Sequence, residues 1–271
     1  MAPLNNLPPG TLRVLQITDT HLYADPDGAL LGLKTLPSLS DVIKKSIHDS
    51  GTVDLVLATG DLVHDASPEG YRYAAQIFSS LGLPVYCIPG NHDIPETMRE
   101  HIVSEQVTVP FAERHDEWLL VMMDSTIPDG EGGRFSTEEL DRLKQVLDDN
   151  LDAHVLISMH HQPVPVGSAW MDTMLIDNAD EFFDLTDQYD NIRCLLWGHI
   201  HQTFDQVRNG VRLLGSPSTC IQFTPGKDDF GIDDEAPGYR WLGLLPDGTI
   251  KTGVERLPEI PAGIDFNSFG Y

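Results

Sequence analysis

Five short blocks of this 271-residue chain concentrate side chains that can hold a metal ion or move a proton. They are Asp19-Thr20-His21, Gly60-Asp61-Leu62-Val63, Gly90-Asn91-His92-Asp93, Met159-His160-His161 and Gly198-His199-Ile200-His201. In the first, a carboxylate and an imidazole stand two positions apart, so both can face one way past a strand end. In the second, a glycine permits the sharp turn that puts a carboxylate at a strand tip. Either block alone also suits an ordinary surface turn. The third is more specific, because Asn, His and Asp in a row after a glycine serve little packing purpose. Histidines as close as His160-His161 and His199/His201 are costly as core residues. Neutral imidazole is the commonest metal ligand, and mixed Asp, Asn and His sets suit Mn, Fe, Co or Zn better than Ca or Mg.

Each block follows a short apolar run of strand character: Leu12 to Thr18, Val53 to Thr59, Val85 to Ile88, Val155 to Ser158 and Cys194 to Trp197. Helix-like stretches lie between them, roughly Ser38 to Ser50, Glu69 to Leu81, Thr137 to Asp149 and Asn178 to Tyr189, with Ser136 to Glu139 reading as a capping box. Ligands of α/β sheets collect beyond the carboxyl ends of strands, so five polar strand ends point to one site. After Gly198 the pattern changes to short strands, Thr203 to Val207, Val211 to Leu214 and Tyr239 to Leu245, with Asn209-Gly210 and Asp247-Gly248 turns. This predicts a second sheet packed on the first. The long loop from Gln162 to Asp177, which carries Pro163, Pro165, Gly167 and Trp170, reads as a site cover. A single domain over 1–271 is expected, with a core of about 12–257 and a tail at 258–271.

With 41% hydrophobic and 22% charged residues the composition is that of a folded globular protein. Seventeen basic against 42 acidic residues give a net charge of −25, which argues against nucleic acid or an anionic membrane as partners. A phosphate site here needs local positive charge, and bound metal is the obvious source. No signal segment or membrane span is read at the start of the chain, so a cytoplasmic protein is expected. Three cysteines, Cys87, Cys194 and Cys220, are an odd count, and no structural disulfide is expected. His48, His101, His115 and His154 lack any partner motif. His64, three residues after Asp61, lies nearer the site and is weighed for a substrate-side role.

Taken in order, the blocks resemble the calcineurin-like metallophosphoesterase superfamily, whose pattern is D-x-H, G-D, G-N-H-[DE], H and G-H-x-H. The resemblance implies an α/β fold of two facing mixed β-sheets flanked by helices. It also implies two metal ions per chain, iron or manganese for preference, with zinc and cobalt also fitting. Asp19, His21 and His201 would hold the first ion, Asn91, His160 and His199 the second, and Asp61 would bridge them. The implied chemistry is in-line hydrolysis by a metal-bound water whose pKa falls toward about 7. His92 would act on a phosphate oxygen or the leaving oxygen, with Asp93 as its orienter. Substrate contacts would come from His21, Asp61, Asn91, His92 and His201.

The segments around the blocks narrow this further. His160 to Asp172 matches H-H-x-P-x-P-x-G-x-x-W-x-D of the bacterial class III cyclic AMP phosphodiesterases, and Ser216 to Phe223, Ala236 to Arg240 and the Gly270-Tyr271 ending are similar to the same group. The resemblance implies hydrolysis of 3′,5′-cyclic AMP to 5′-AMP; a monomer or homodimer is expected, and the chemistry of Trp170 as a stacking face and of Gln222 at a base edge is weighed against plain packing. The alternatives are a broad phosphodiesterase acting on 2′,3′-cyclic nucleotides or glycerophosphodiesters, and a non-catalytic scaffold of the same fold.

Overall fold

The computed structural model describes residues 3–270; Tyr271, half of the Gly270-Tyr271 ending, lies outside them. In chain order the strands are β1 (Leu12–Ile17), β2 (Ala29–Leu30), β3 (Leu33–Lys34), β4 (Leu55–Thr59), β5 (Val85–Ile88), β6 (Val107–Thr108) and β7 (Ala112–His115). They continue with β8 (Trp118–Met122), β9 (His154–Ser158), β10 (Ile192–Trp197), β11 (Phe204–Arg208), β12 (Val211–Gly215), β13 (Gly238–Leu244) and β14 (Ile250–Arg256). The helices are α1 (Thr35–Ser50), α2 (Pro68–Ser79), α3 (Pro95–Ile102), α4 (Thr137–Asp148) and α5 (Ala179–Thr186).

Two six-stranded mixed sheets result, ordered β14-β13-β1-β4-β5-β6 and β11-β12-β10-β9-β8-β7. In each, four neighbouring strands run parallel: β1, β4, β5 and β6 in one, and β12, β10, β9 and β8 in the other. The central strands are buried on both faces, which is why β4 (LVLAT) reads as an unbroken apolar run rather than an alternation. Leu55 and Leu57 enter the core between the sheets with Trp118, Leu120, Leu156, Leu196 and Leu242, while Val56 and Ala58 pack beneath Val42, Tyr71 and Phe78 of α1 and α2. The far face of the second sheet packs Val155, Ile157 and Leu195 against Leu143 and Leu147 of α4 and Phe182 of α5. The expected sandwich is therefore what forms.

Three expectations need correction. The chain after Gly198 does not make the second sheet alone: β11 and β12 join it, β13 and β14 return to the first, and β7 and β8 had already begun it. The short helix α3 was unread, although Pro95 at its first turn and Glu96 beside it are start signals. The segment 258–270 is also not a free tail, since the Asp265 amide donates to Leu31 O at 2.9 Å and Gly270 lines the cleft described below. The capping box is half made: Ser136 Oγ accepts from the Glu139 amide at 3.1 Å, but the Glu139 carboxyl turns to the Asp124 backbone. All three cysteines are free and buried.

A polar bridge ties the sheets together at their carboxyl end. Gln16 of β1 donates to Thr59 Oγ1 at 2.8 Å and to Trp197 O of β10 at 3.0 Å. Ser216 Oγ bonds to Gln16 Oε1 and accepts from Arg240 Nε at 2.9 Å, and Arg240 Nη2 donates to Gly215 O at 2.8 Å. Buried groups of this kind are tolerated because each finds a partner. Arg240, one of the residues that carried the family resemblance, is thus structural.

Candidate metal centre

The five blocks do converge, each at the carboxyl end of a parallel strand: β1 presents Asp19 and His21, β4 Asp61, β5 Asn91, β9 His160, and β10 His199 and His201. Main-chain bonds fix the tips against one another. Asp19 N donates to Gly60 O at 3.0 Å and His21 N to Asp61 O at 2.9 Å. Across the sheets, His199 N donates to Asp19 Oδ1 at 3.0 Å. Asp19, His21, Asp61, His199 and His201 all take positive φ, between 43° and 62°, making up five of the ten non-glycine residues so placed among those described. Such backbone is strained and persists only where its surroundings over-determine it. A Cβ at Gly198 would stand 2.1 Å from Thr18 Oγ1 and 2.8 Å from Asp19 Oδ2, so only glycine allows the β10 tip this close.

The donor atoms fall into two sets that share Asp61. In one, His201 Nε2 lies 3.4 Å from Asp19 Oδ1 and 3.3 Å from His21 Nε2, which is 3.6 Å from Asp61 Oδ2. In the other, His160 Nε2 lies 3.2 Å from Asn91 Oδ1 and 3.3 Å from Asp61 Oδ1. His160 and His201 turn their other nitrogens to main-chain carbonyls, Thr59 O at 2.9 Å and Ile221 O at 2.8 Å, which leaves Nε2 facing inward. Two observations fit a cation. His199 Nε2 is buried without a hydrogen-bond partner among the described residues, and two buried imidazole nitrogens face each other at His21 and His201. Asp19, Asp61 and His160 place ligand atoms within 4.8 Å of one another, as do His160, His161 and His199.

Electrostatics follow from burial and from Asp61. Burial alone would lower His160, yet the Asp61 carboxylate overrides it and lifts the imidazole to about 9. Burial would raise Asp61, but His160, His92 and His21 hold it well below the carboxylate range. His21 and His199 are driven well below the usual histidine value, chiefly by burial. They are therefore neutral, as a metal ligand must be.

Asp93 differs from expectation. Its carboxylate accepts from the amides of Gly90 at 2.9 Å, Leu62 at 3.0 Å and Val63 at 3.1 Å, and from Tyr71 Oη at 3.0 Å. It locks the Asp61 loop to the Asn91 loop and does not orient His92, whose ring packs on His21 and His64. Burial, and next Asp61, raise it to about 6. Three further residues join the cluster: His161 and Cys220, to which no role was given, and His64, weighed above for a substrate-side role. His161 is buried with Nδ1 2.8 Å from Ser125 Oγ, and Cys220 places its sulfur within 4.8 Å of ring nitrogens of His21 and His201, as His64 does a ring nitrogen with those of His21 and His92. A second histidine directly after His160 was the one sequence signal for the first; nothing local marks Cys220. His48, His101, His115 and His154 lie away from the centre: the first three contact Asp49, Glu100 and Tyr86, and His154 contacts Pro246, Arg193 and Trp118.

A cleft of about 460 Å³ opens on the centre, lined by Asn91, His92 and His199 on one side and by Trp170, Met174 and Phe230 on the other. Gln222 is not at its surface: it is 1% exposed, its amide donates to Ser218 O and Cys220 O, and its carbonyl accepts from Arg256. It is a packing residue, not a reader of the base.

The sequence profile of calcineurin-like phosphoesterases matches residues 12–203. The chain belongs to the calcineurin-like phosphoesterase family. This phosphoesterase is 40% identical, over 95% of its length and 94% of the other's, to a Pseudomonas aeruginosa protein named 3′,5′-cyclic adenosine monophosphate phosphodiesterase CpdA. It is 37% identical to the Escherichia coli K12 protein of that name, covering 96% of this chain and 95% of the other. Among solved structures it is similar to a dimetal phosphatase from Danio rerio, with a TM-score of 0.62 at 14% identity over 94% of this chain and 99% of that one. That likeness supports the fold alone. Family membership and the donor clusters together make the strand-tip site a divalent-metal site.

Proposed function

We propose that this phosphoesterase hydrolyses 3′,5′-cyclic AMP to 5′-AMP at a pair of divalent ions, iron or manganese for preference. The first ion is assigned to Asp19, His21 and His201 and the second to Asn91, His160 and His199, with Asp61 shared. The observation that carries the reading is the division of Asp61: Oδ1 faces His160 and Oδ2 faces His21. One carboxylate so split between two donor sets is what a bridged pair of ions needs. Relatives named as 3′,5′-cyclic AMP phosphodiesterases, alike over nearly the whole chain, support the choice of diester.

When bound, the ions supply Lewis acidity, lowering the pKa of water and neutralising charge that develops on the phosphoryl oxygens. The chain's residues do the rest. His160 must give up its proton to become a ligand, and the Thr59 carbonyl holds it in the tautomer that points Nε2 inward. His92, its amide fixed by Asp61 Oδ1 at 2.9 Å, lines the cleft where the 3′ oxygen leaves and either donates a proton to it or contacts a phosphate oxygen. Trp170, Met174 and Phe230 offer the adenine an apolar wall, and Trp170 is propped edge-on by Phe223 and Phe230 at 5.1 and 5.2 Å. Among the described residues no helix is long and apolar enough to cross a membrane. A cytoplasmic site of action, where cyclic AMP is found, fits this reading.

The test is turnover of 3′,5′-cyclic AMP by protein of measured metal content, beside 2′,3′-cyclic AMP, a glycerophosphodiester and the Asp61→Ala variant. The expected product is 5′-AMP, and Asp61→Ala should lower kcat/KM more than about a hundredfold. No turnover of cyclic AMP with both sites loaded, or preference for another diester, would reject the reading. Full activity in Asp61→Ala would reject the shared ligand.

A further inference from the structure

The imidazoles of the centre are not all held alike. In His160 and His201 the nitrogen turned away from the other donors meets a main-chain carbonyl, an acceptor in every circumstance. In His21 it meets another imidazole: Nδ1 lies 3.1 Å from His64 Nδ1. His21 Nε2 faces His201 Nε2 and Asp61 Oδ2, so a ligand role there requires the proton on Nδ1. His64 Nδ1 must then provide the lone pair that receives it.

The same ring serves a second neighbour. His64 stacks on His92 with centroids 4.4 Å apart and planes at 22°, while His92 stands edge-on to His21 at 5.0 Å. Its position is imposed by the backbone, since His64 N donates to Leu22 O at 2.8 Å and Leu22 pairs with Val63 as a parallel bridge. Tyr23 flanks His64 at 5.0 Å. A single half-buried side chain thus touches a residue assigned to the first ion and the residue assigned to the phosphate.

We propose that His64 is a positioning residue that couples the two, its Nδ1 lone pair fixing the tautomer of His21 and its ring face fixing the plane of His92. This rests on the assignment of His21 and His92 under the proposed function. The two contacts use different properties of one ring, so two substitutions separate them. His64→Asn places an amide oxygen about where Nδ1 stood and removes the ring. His64→Phe keeps the ring and removes the lone pair.

The experiment measures metal retained against a chelator by elemental analysis, kcat and KM for cyclic AMP at saturating metal, and the melting temperature. Wild-type protein is measured first; if it holds no metal, the metal-centre reading fails and this proposal with it. Given a loaded wild type, His64→Phe should weaken retention of the first ion about ten- to a hundredfold, the usual effect of losing an outer partner of a ligand. His64→Asn should retain metal better than His64→Phe, yet lose kcat by about tenfold or more with little change in KM, because His92 is misplaced. At saturating metal the kcat of His64→Phe should fall less than that of His64→Asn. Equal metal loss in both variants, wild-type kcat in His64→Asn, or parallel loss of both properties with a lowered melting temperature would overturn the proposal and leave His64 as packing.

Discussion

The strand tips and the cleft wall opposite them are built on different principles. At the tips, donors from residues far apart in the chain are locked by main-chain bonds and left-handed backbone, as where His199 N meets Asp19 Oδ1 and His21 N meets Asp61 O. The wall is loop packed on loop: Ala169 N and Trp170 N donate to Lys227 O and Asp228 O, and the indole leans on Phe223 and Phe230. Its Nε1 is buried without a hydrogen-bond partner among the described residues. The tips can therefore define a reaction while the wall, resting on side chains and loops, adjusts the substrate.

The contrast can be broken at either end. Removing a tip donor, His160→Ala, should cut kcat/KM more than about a hundredfold for cyclic AMP and for a base-free cyclic diester alike. Unequal losses would show that the tips also read the base. At the wall, Trp170→Ala should raise KM for cyclic AMP about 5- to 150-fold, the range for losing one stacked base, and leave the base-free diester unchanged. Equal effects on both substrates would reduce Trp170 to a packing residue.

A third measurement concerns the tips alone. In the metal-free chain His160 titrates at about 9 because Asp61 faces it, so below that pH a metal must displace its proton. Apparent affinity should rise about tenfold per pH unit toward 9, with proton release seen by calorimetry in buffers of different ionisation heat. The smallest effect lies away from both regions. Burial, and next Asp124, push Glu139 up to about 6 from 4.5. A carboxyl with a raised folded pKa favours folding when protonated, so its contribution is favourable below about 4.5 and is lost as pH rises through 6. Glu139→Gln should gain about 2 kcal/mol on wild type between pH 4 and 8, read as melting temperature, with metal retention and KM unchanged.

Much of the site was legible because its donors lie in contiguous blocks directly after strands, where sequence proximity and spatial role coincide. The five strand tips follow from that, whereas the sandwich came from the family resemblance that the order of the blocks carries. What could not be read depends on separations that sequence order hides. His21 meets His64 across 43 residues, and Cys220 approaches His21 only because β12 delivers Ser216 to Cys220 beneath the β1 tip. Asp93 was assigned to its neighbour His92 for want of sight of the Leu62 and Val63 amides, which claim it in space. The strand β8 (WLLVM), as apolar and as buried as β4, was passed over because no block of donors follows it.

The donors also have a mechanical consequence. Asp19, His21, Asp61 and Asn91 project from one sheet, and His160, His199 and His201 from the other. Ions held between them as proposed would act as rivets across the seam of the sandwich, beside the Gln16 to Trp197 bridge. Stripping them should loosen the seam before it loosens either sheet, so amide exchange should quicken first at Thr219 and His199, whose bonds cross it.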